Sequence, residues 1–197
     1  MKPIKIINSK VTPIDMANVD TDQIIPKQFL KLVQRSGFGK FLFYNWRFDE
    51  FGNQRPDFVL NNERYKGREI LLSRANFGCG SSREHAVWAI ADFGFKAIIS
   101  SSFADIFYNN CLKNGILPVI LEETELECLF EVSEREEVHI NLVRQEVSFS
   151  HKTLHFQIDN ANKRKLLEGL DDIDITLTME DKIIEYERNM SALTTPA

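Results

Sequence analysis

Cysteine is scarce in this sequence. The 197 residues hold three, at positions 79, 111 and 128, an odd number with no Cys-x-x-Cys spacing. That speaks against a disulfide framework and fits a reducing, cytoplasmic compartment. Long apolar runs are missing too. None approaches the roughly 20 residues that a membrane-spanning helix needs, and the apolar stretch Ile4-Lys5-Ile6-Ile7 is too short for a signal peptide. With 9 glycines and 6 prolines the chain is neither collagen-like nor dominated by linkers. Basic residues are outnumbered, 24 Lys and Arg against 29 Asp and Glu, which argues against a nucleic-acid-binding face. What the sequence does contain is 43% hydrophobic residues beside 27% charged ones, enough apolar side chain for the core of one generous domain.

The charge is unevenly spread. Residues 1–75 carry 13 basic and 8 acidic side chains, whereas residues 76–197 carry 11 and 21. The basic portion suits a small anion or an acidic partner surface, or is simply solvated.

The clearest order lies between residues 68 and 121. Ile70-Leu71-Leu72-Ser73 reads as a strand, and Ala86, Ala89, Ile90 and Phe93 predict a helix over 83–93 that Gly94 ends. Lys96-Ala97-Ile98-Ile99-Ser100 is a second strand. Ser102-Phe103-Ala104-Asp105 has the pattern of a capping box opening a helix with Phe103, Ile106, Phe107 and Cys111 on one face. A third strand spans 116–121, its Pro118 suiting a strand edge or start. Apolar strands alternating with helices predict parallel βαβ units, hence an α/β fold. Further on, eight acidic residues between 122 and 137 surround Leu126, Leu129 and Phe130, as in a solvated amphipathic helix. Residues 138–158 read as small antiparallel strands, and 160–168 and 177–190 as helices. We expect a single domain over 1–190, with residues 34–57 partly loop, and a disordered tail over 191–197.

The sharpest local feature is Asn76-Phe77-Gly78-Cys79-Gly80-Ser81-Ser82-Arg83-Glu84-His85, which follows a strand and opens a helix. Two glycines let the backbone approach a ligand closely, and a helix N-terminus offers unpaired N–H groups and partial positive charge, so the stretch can hold an anion. Arg83 suits a carboxylate, which its planar fork can grip with two hydrogen bonds. Against this, Ser81-x-x-Glu84 is also a capping box, in which Ser81 only starts the helix. The spacing fits neither a phosphate loop nor a dinucleotide fingerprint. Cys79 reads best as a small turn residue rather than a nucleophile or cluster ligand, Cys111 as core, and His139, His151 and His155 as surface or packing residues. In Asn18-Val19-Asp20-Thr21-Asp22-Gln23, the carboxylates of Asp20 and Asp22 either make turns or support a site, and a calcium loop is rejected for want of ligands.

Taken together, Asn18 to Pro26, Asn76 to His85, Ser102 to Asn110, and Gly37-Phe38-Gly39 leading to Tyr44-Asn45-Trp46-Arg47 resemble the small subunits of 3-isopropylmalate dehydratase, in the aconitase superfamily. The resemblance runs over about residues 3–190. It implies a swivelling β/β/α domain of aconitase type that works with a large subunit as a heterodimer. It also implies a hydro-lyase of leucine biosynthesis that interconverts 2- and 3-isopropylmalate by dehydration and rehydration through 2-isopropylmaleate. On the family pattern, Ser81 is the base, while Ser82 and Arg83 bind a carboxylate of the small di-acid. The [4Fe–4S] cluster sits on the large subunit, its open iron acting as a Lewis acid, and this chain binds no metal. Selectivity for the side group falls between Pro26 and Phe58, where Phe29, Leu30, Leu32 and Val33 are apolar and Arg35 offers a cation to an acidic side group. The alternatives are the small subunit of a related hydro-lyase acting on homoaconitate, citraconate or dimethylmaleate, and a non-catalytic anion-binding module.

Overall fold

The chain runs from strand β1 (Ile6–Ile14) through the one-turn helices α1 (Thr21–Ile24) and α2 (Tyr44–Arg47) to β2 (Ile70–Ser73). Then follow α3 (Glu84–Phe93), β3 (Ala97–Ser100), α4 (Asp105–Lys113), β4 (Leu117–Ile120) and α5 (Glu123–Val132). A meander of β5 (Glu137–Asn141), β6 (Glu146–Phe149) and β7 (Lys152–His155) leads to α6 (Asn160–Glu168), α7 (Asp172–Leu177) and α8 (Glu180–Thr194). The structure is a computed structural model and describes residues 1–31 and 36–194.

The seven strands among the described residues share one sheet, in the order β4-β3-β2-β1-β5-β6-β7. β1 changes partner along its length: Ile6 to Lys10 pair antiparallel with β5, and Val11 to Ile14 pair parallel with β2. Pro13 lies past the last β5 pair, so no antiparallel ladder bond is lost to its missing N–H. Pro118 sits in β4, at an edge of the sheet, where a missing donor is tolerated. From β1 to β4 the pairing is parallel, and from β1 to β7 antiparallel.

The parallel half is covered on both faces, which is why its strands read as unbroken apolar runs. Ile70, Leu72, Ala97 and Ile99 face a core shared with Leu126 and Leu129 of α5 and with Val138, Ile140, Val147 and Phe149 of the antiparallel half, so the sheet curls over this core. Leu71 and Ile98 face the other way, against Ala86, Val87 and Ile90 of α3, Phe107 and Cys111 of α4, and Phe38, Leu42 and Phe43 of the N-terminal segment. In the segment 34–57 expected to be partly loop, the described residues 36–57 form short turns and α2, held by aromatic contacts such as Phe41 stacked on Phe29 at 4.0 Å and Phe43 on Trp46 at 5.1 Å.

Several local expectations differ from the structure. The helix placed over 122–137 stops at Val132, because the chain must turn to enter β5 at Glu137. The helix placed over 177–190 is α8, which starts at Glu180 and runs on to Thr194, and the sequence reading has no counterpart for the short α7 before it. Residues 195–197 lie outside the described residues. At α4 the N-cap is Ala104, not Ser102. The Ser102 hydroxyl instead accepts the N–H of Asn76 at 2.8 Å, so it ties two loops together rather than starting a helix.

Candidate anion-binding and proton-transfer site

Three loops leave the carboxyl ends of β1, β2 and β3 and meet above the parallel half of the sheet. This is the edge at which open α/β sheets place ligands. Their contacts continue the sheet by single pairs, Asp20 with Cys79 and Phe77 with Phe103. Gly78 N–H donates to Val19 O at 2.7 Å, Asn18 N–H to Ala75 O at 2.9 Å, and Phe77 N–H to Ser102 O at 3.0 Å. The Asn76 amide donates to Asn18 Oδ1 at 2.9 Å, both residues having left-handed backbones. Gly78 has φ +77°, and its Cα lies against the ring of Phe107 with no room for a Cβ.

These loops enclose a cavity of 220 Å³. One wall is Thr21, Gly80, Ser81, Ser82 and Arg83, and the other is the first turn of α4 with Asp105, Ile106 and Phe107. Helices α3 and α4 both point their N-termini here, and neither has a side-chain cap. The opening N–H groups of a helix have no partner within it and carry partial positive charge. Two such ends on one cavity favour an anion.

Ser81 and Ser82 are exposed on this cavity, and their hydroxyls donate to and accept from no group among the described residues. The capping-box reading of Ser81 does not hold. The N-cap of α3 is Arg83, two residues later, and Glu84 accepts from the side-chain amide of Asn114 at 2.9 Å instead of reaching back to Ser81. Both hydroxyls are thus spare to the fold.

Arg83 is buried, with 7% of its side chain exposed. The sequence reading gave it no protein partner, yet its fork is held by Asp22, Nη1 donating to Oδ1 at 2.5 Å and Nη2 to Oδ2 at 2.8 Å, while Nη1 also reaches Ile25 O at 3.4 Å. A guanidinium has five N–H donors, so two remain after these three bonds for a ligand in the cavity that Arg83 lines. The two acidic residues of the 18–23 stretch therefore differ in role. Asp20 caps α1 in a true capping box with Gln23, and Asp22 positions Arg83.

The hydrogen bonds from Arg83 hold the Asp22 carboxyl below the usual carboxylate range. A group whose folded pKa is depressed stabilises the fold above its unfolded pKa, about 3.9 for Asp, and the contribution is lost as pH falls through the lower folded value. Asp22→Asn should therefore lower the urea midpoint of the chain at neutral pH and narrow its gap to wild type as pH drops below that range. A gap that stayed constant from pH 6 to pH 2.5 would show that the Asp22 charge does not stabilise the fold.

Burial, and secondarily the charge of Asp20, push the Cys79 thiol up, against the nucleophile reading. His85 packs its ring against Trp88 at 4.6 Å and Phe38 at 5.4 Å. His139, on β5, bonds Asn8 of β1, and His151 and His155 are exposed in the meander, away from the three loops. The three cysteines do not suit a shared cluster. Cys111 is fully buried in the α4 core, Cys79 is in the glycine loop, and Cys128 on α5 contacts Lys152 at 3.1 Å. In the segment expected to set selectivity, Phe29 and Leu30 pack beside the aromatic cluster, while Leu32, Val33 and Arg35 lie outside the described residues. Sequence reasoning missed Thr21 and the α4 first turn as parts of the site. Both lie in the stretches that carry the resemblance, so the signal was present as motif but not as geometry.

Comparison with known proteins identifies what the chain is similar to. The model of the aconitase C-terminal domain family matches residues 1–124. A 3-isopropylmalate dehydratase small subunit from Leptospira interrogans is 53% identical over 194 residues, spanning 95% of this chain and 94% of its own length. One from Bacillus cereus is 48% identical over 192 residues, spanning 98% of this chain and 100% of its own length. Among solved structures, 3-isopropylmalate dehydratase from Methanocaldococcus jannaschii matches with a TM-score of 0.67 and 28% identity, covering 93% of this chain and 99% of that one.

Proposed function

The chain belongs to the aconitase C-terminal-domain family, among the small subunits of 3-isopropylmalate dehydratase, and from this premise we infer that its spare serine pair does the proton chemistry of that hydro-lyase. The enzyme interconverts 2- and 3-isopropylmalate by loss and re-addition of water, a step of leucine biosynthesis, and a small subunit works with a large one. The same reading places it in the cytoplasm; among the described residues no helix is long and apolar enough to cross a membrane.

In this reading Ser81 is the base. It removes the proton from the carbon α to a carboxylate; the freed electron pair, spread onto that carboxylate in the transition state, becomes the C=C double bond as the C–O bond breaks and hydroxide leaves the neighbouring carbon. Re-addition in the opposite sense gives the isomer. An unassisted serine hydroxyl is far too weak an acid to be ionised at neutral pH. Free N–H groups at two helix ends and the Arg83 guanidinium lower that cost, and more so in a site dried by the partner. Ser82 and the two free N–H groups of Arg83 hold the carboxylate on which charge builds, where binding is strongest in the transition state. The [4Fe–4S] cluster belongs in this reading to the large subunit, since the thiols here do not suit it, and every step given to this chain is proton transfer or carboxylate binding.

The observation that carries the reading is the exposed Ser81 hydroxyl, unused by the fold, on a cavity fed by two uncapped helix N-termini. Anaerobic reconstitution tests it. The chain mixed with its large subunit should convert 2-isopropylmalate, seen as ultraviolet absorption of 2-isopropylmaleate, while either subunit alone should not. After iron and sulfide loading, the isolated chain should carry no stoichiometric cluster. A complex that turned over homoaconitate in preference to isopropylmalate, or a cluster on this chain, would overturn the assignment.

A further inference from the structure

Thr21 is 2% exposed and donates its hydroxyl to the carbonyl of Ser81 at 2.9 Å, across 60 residues of sequence. Its own N–H donates to the carbonyl of Cys79, also at 2.9 Å. One residue at the start of α1 thus grips two carbonyls of the glycine loop. No described peptide bond is cis, and in a trans peptide the N–H points opposite to the C=O. With the Ser81 carbonyl turned onto Thr21, the N–H of Ser82 is turned away from it. No acceptor among the described residues takes that N–H. The orientation of this peptide is set by ψ of Ser81 and φ of Ser82, and the Thr21 hydroxyl is the group that holds its carbonyl in place.

We propose that Thr21 is a positioning residue for proton transfer. It locks the Ser81–Ser82 peptide with its carbonyl on the Thr21 hydroxyl and the N–H of Ser82 pointed away from Thr21 and left without an acceptor among the described residues, so that negative charge developing on Ser81 meets a donor rather than a carbonyl oxygen. The inference rests on the reading of Ser81 as the base. If the peptide turned over, the carbonyl dipole would face the charge and oppose it, and a preorganised donor would be lost.

Four variants of this chain, assembled with the large subunit, test it by kcat, KM and the fraction of complex formed. Thr21→Val keeps the shape of the side chain and removes the hydroxyl. It should lose about 10- to 100-fold in kcat, with KM within about threefold. Thr21→Ser should stay within about threefold of wild type, because the hydroxyl suffices. In a Ser81→Ala background, Thr21→Val should cost less than about twofold more, because its effect passes through Ser81. Should valine block assembly, Thr21→Ala gives the same comparison. Wild-type kcat in the hydroxyl-free variant would overturn the proposal. So would Thr21→Ser as slow as Thr21→Val, or an undiminished loss in the Ser81→Ala background. A fully active Ser81→Ala complex would instead remove the base assignment itself, whereas a dead Ser81→Ala beside a fully active Thr21→Val would remove the role of Thr21 alone.

Discussion

Ser81→Ala should leave the assembled enzyme folded and slow it by about 10²-fold or more in kcat, the range typical of losing a general base. The stability half of this expectation follows from the structure. A serine that capped α3 would cost about 1 kcal/mol on truncation, but the cap is Arg83, and the Ser81 hydroxyl has no partner among the described residues. Only its carbonyl is bonded, and alanine keeps that carbonyl. Activity and stability should thus separate cleanly, with the melting temperature of the complex unchanged and turnover nearly gone. KM should move little, since Ser82 and Arg83 still hold the carboxylate. Arg83→Lys should do the reverse. It keeps the charge but cannot bind both oxygens of Asp22 in one plane while presenting further N–H groups to substrate, so KM should rise along with any fall in kcat. Steady-state kinetics and thermal melts on the same complexes decide the matter, and a fully active Ser81→Ala complex would take Ser81 out of the mechanism.

The parts of this architecture that could be read from residues alone are those whose causes are local. β2, β3 and β4 announce themselves as apolar runs because both faces of the parallel half are covered. α3 is bounded by Gly94, whose φ of +119° a helix C-terminus favours. β1 is harder to see although it is the middle strand. Its antiparallel half alternates Ile7 and Ser9 with exposed Ile6, Asn8 and Lys10, and Pro13 interrupts the rest. Neither Ser-x-x-acid pattern is a capping box, and in both a partner from another loop holds the serine. At position 102 the hydroxyl is recruited by Asn76, and at position 81 the carbonyl is recruited by Thr21, both partners coming from other loops. The pairing of Arg83 with Asp22 is likewise invisible in spacing, since the two are 61 residues apart and meet only because β1 and β2 are parallel neighbours. The site was legible as a set of residue types, while the way its members hold one another is a product of topology.

Gly78→Ala should be among the most damaging small changes in the chain. Two separate costs add. At φ +77° an L-residue is disfavoured by about 1–2 kcal/mol. The new Cβ would also fall 2.1 Å from Cγ of Phe107, far inside contact distance, and forcing atoms into a packed site costs about 1–3 kcal/mol more. Phe107 has little freedom to retreat, being 2% exposed and packed edge-on against Phe77 at 5.4 Å. Together these amount to about 2–5 kcal/mol against a typical total stability of about 5–15 kcal/mol. For a chain of this size that is a drop of roughly 4–20 °C in melting temperature. Gly80→Ala supplies the control. It shares the positive φ, at +90°, but its Cβ would meet only Asp20 Cβ and Thr21 Oγ1 at 3.5 Å, an ordinary contact. It should show the backbone cost alone, so the difference between the two variants isolates the clash with Phe107. Because Phe107 also forms a wall of the cavity, any displacement that accommodates the methyl group moves the first turn of α4 relative to Ser81. Gly78→Ala complexes that survive should therefore lose kcat out of proportion to the folded fraction. Equal destabilisation by the two substitutions would mean that Phe107 yields freely, and that the close approach of loop and helix is not what fixes the geometry of the site.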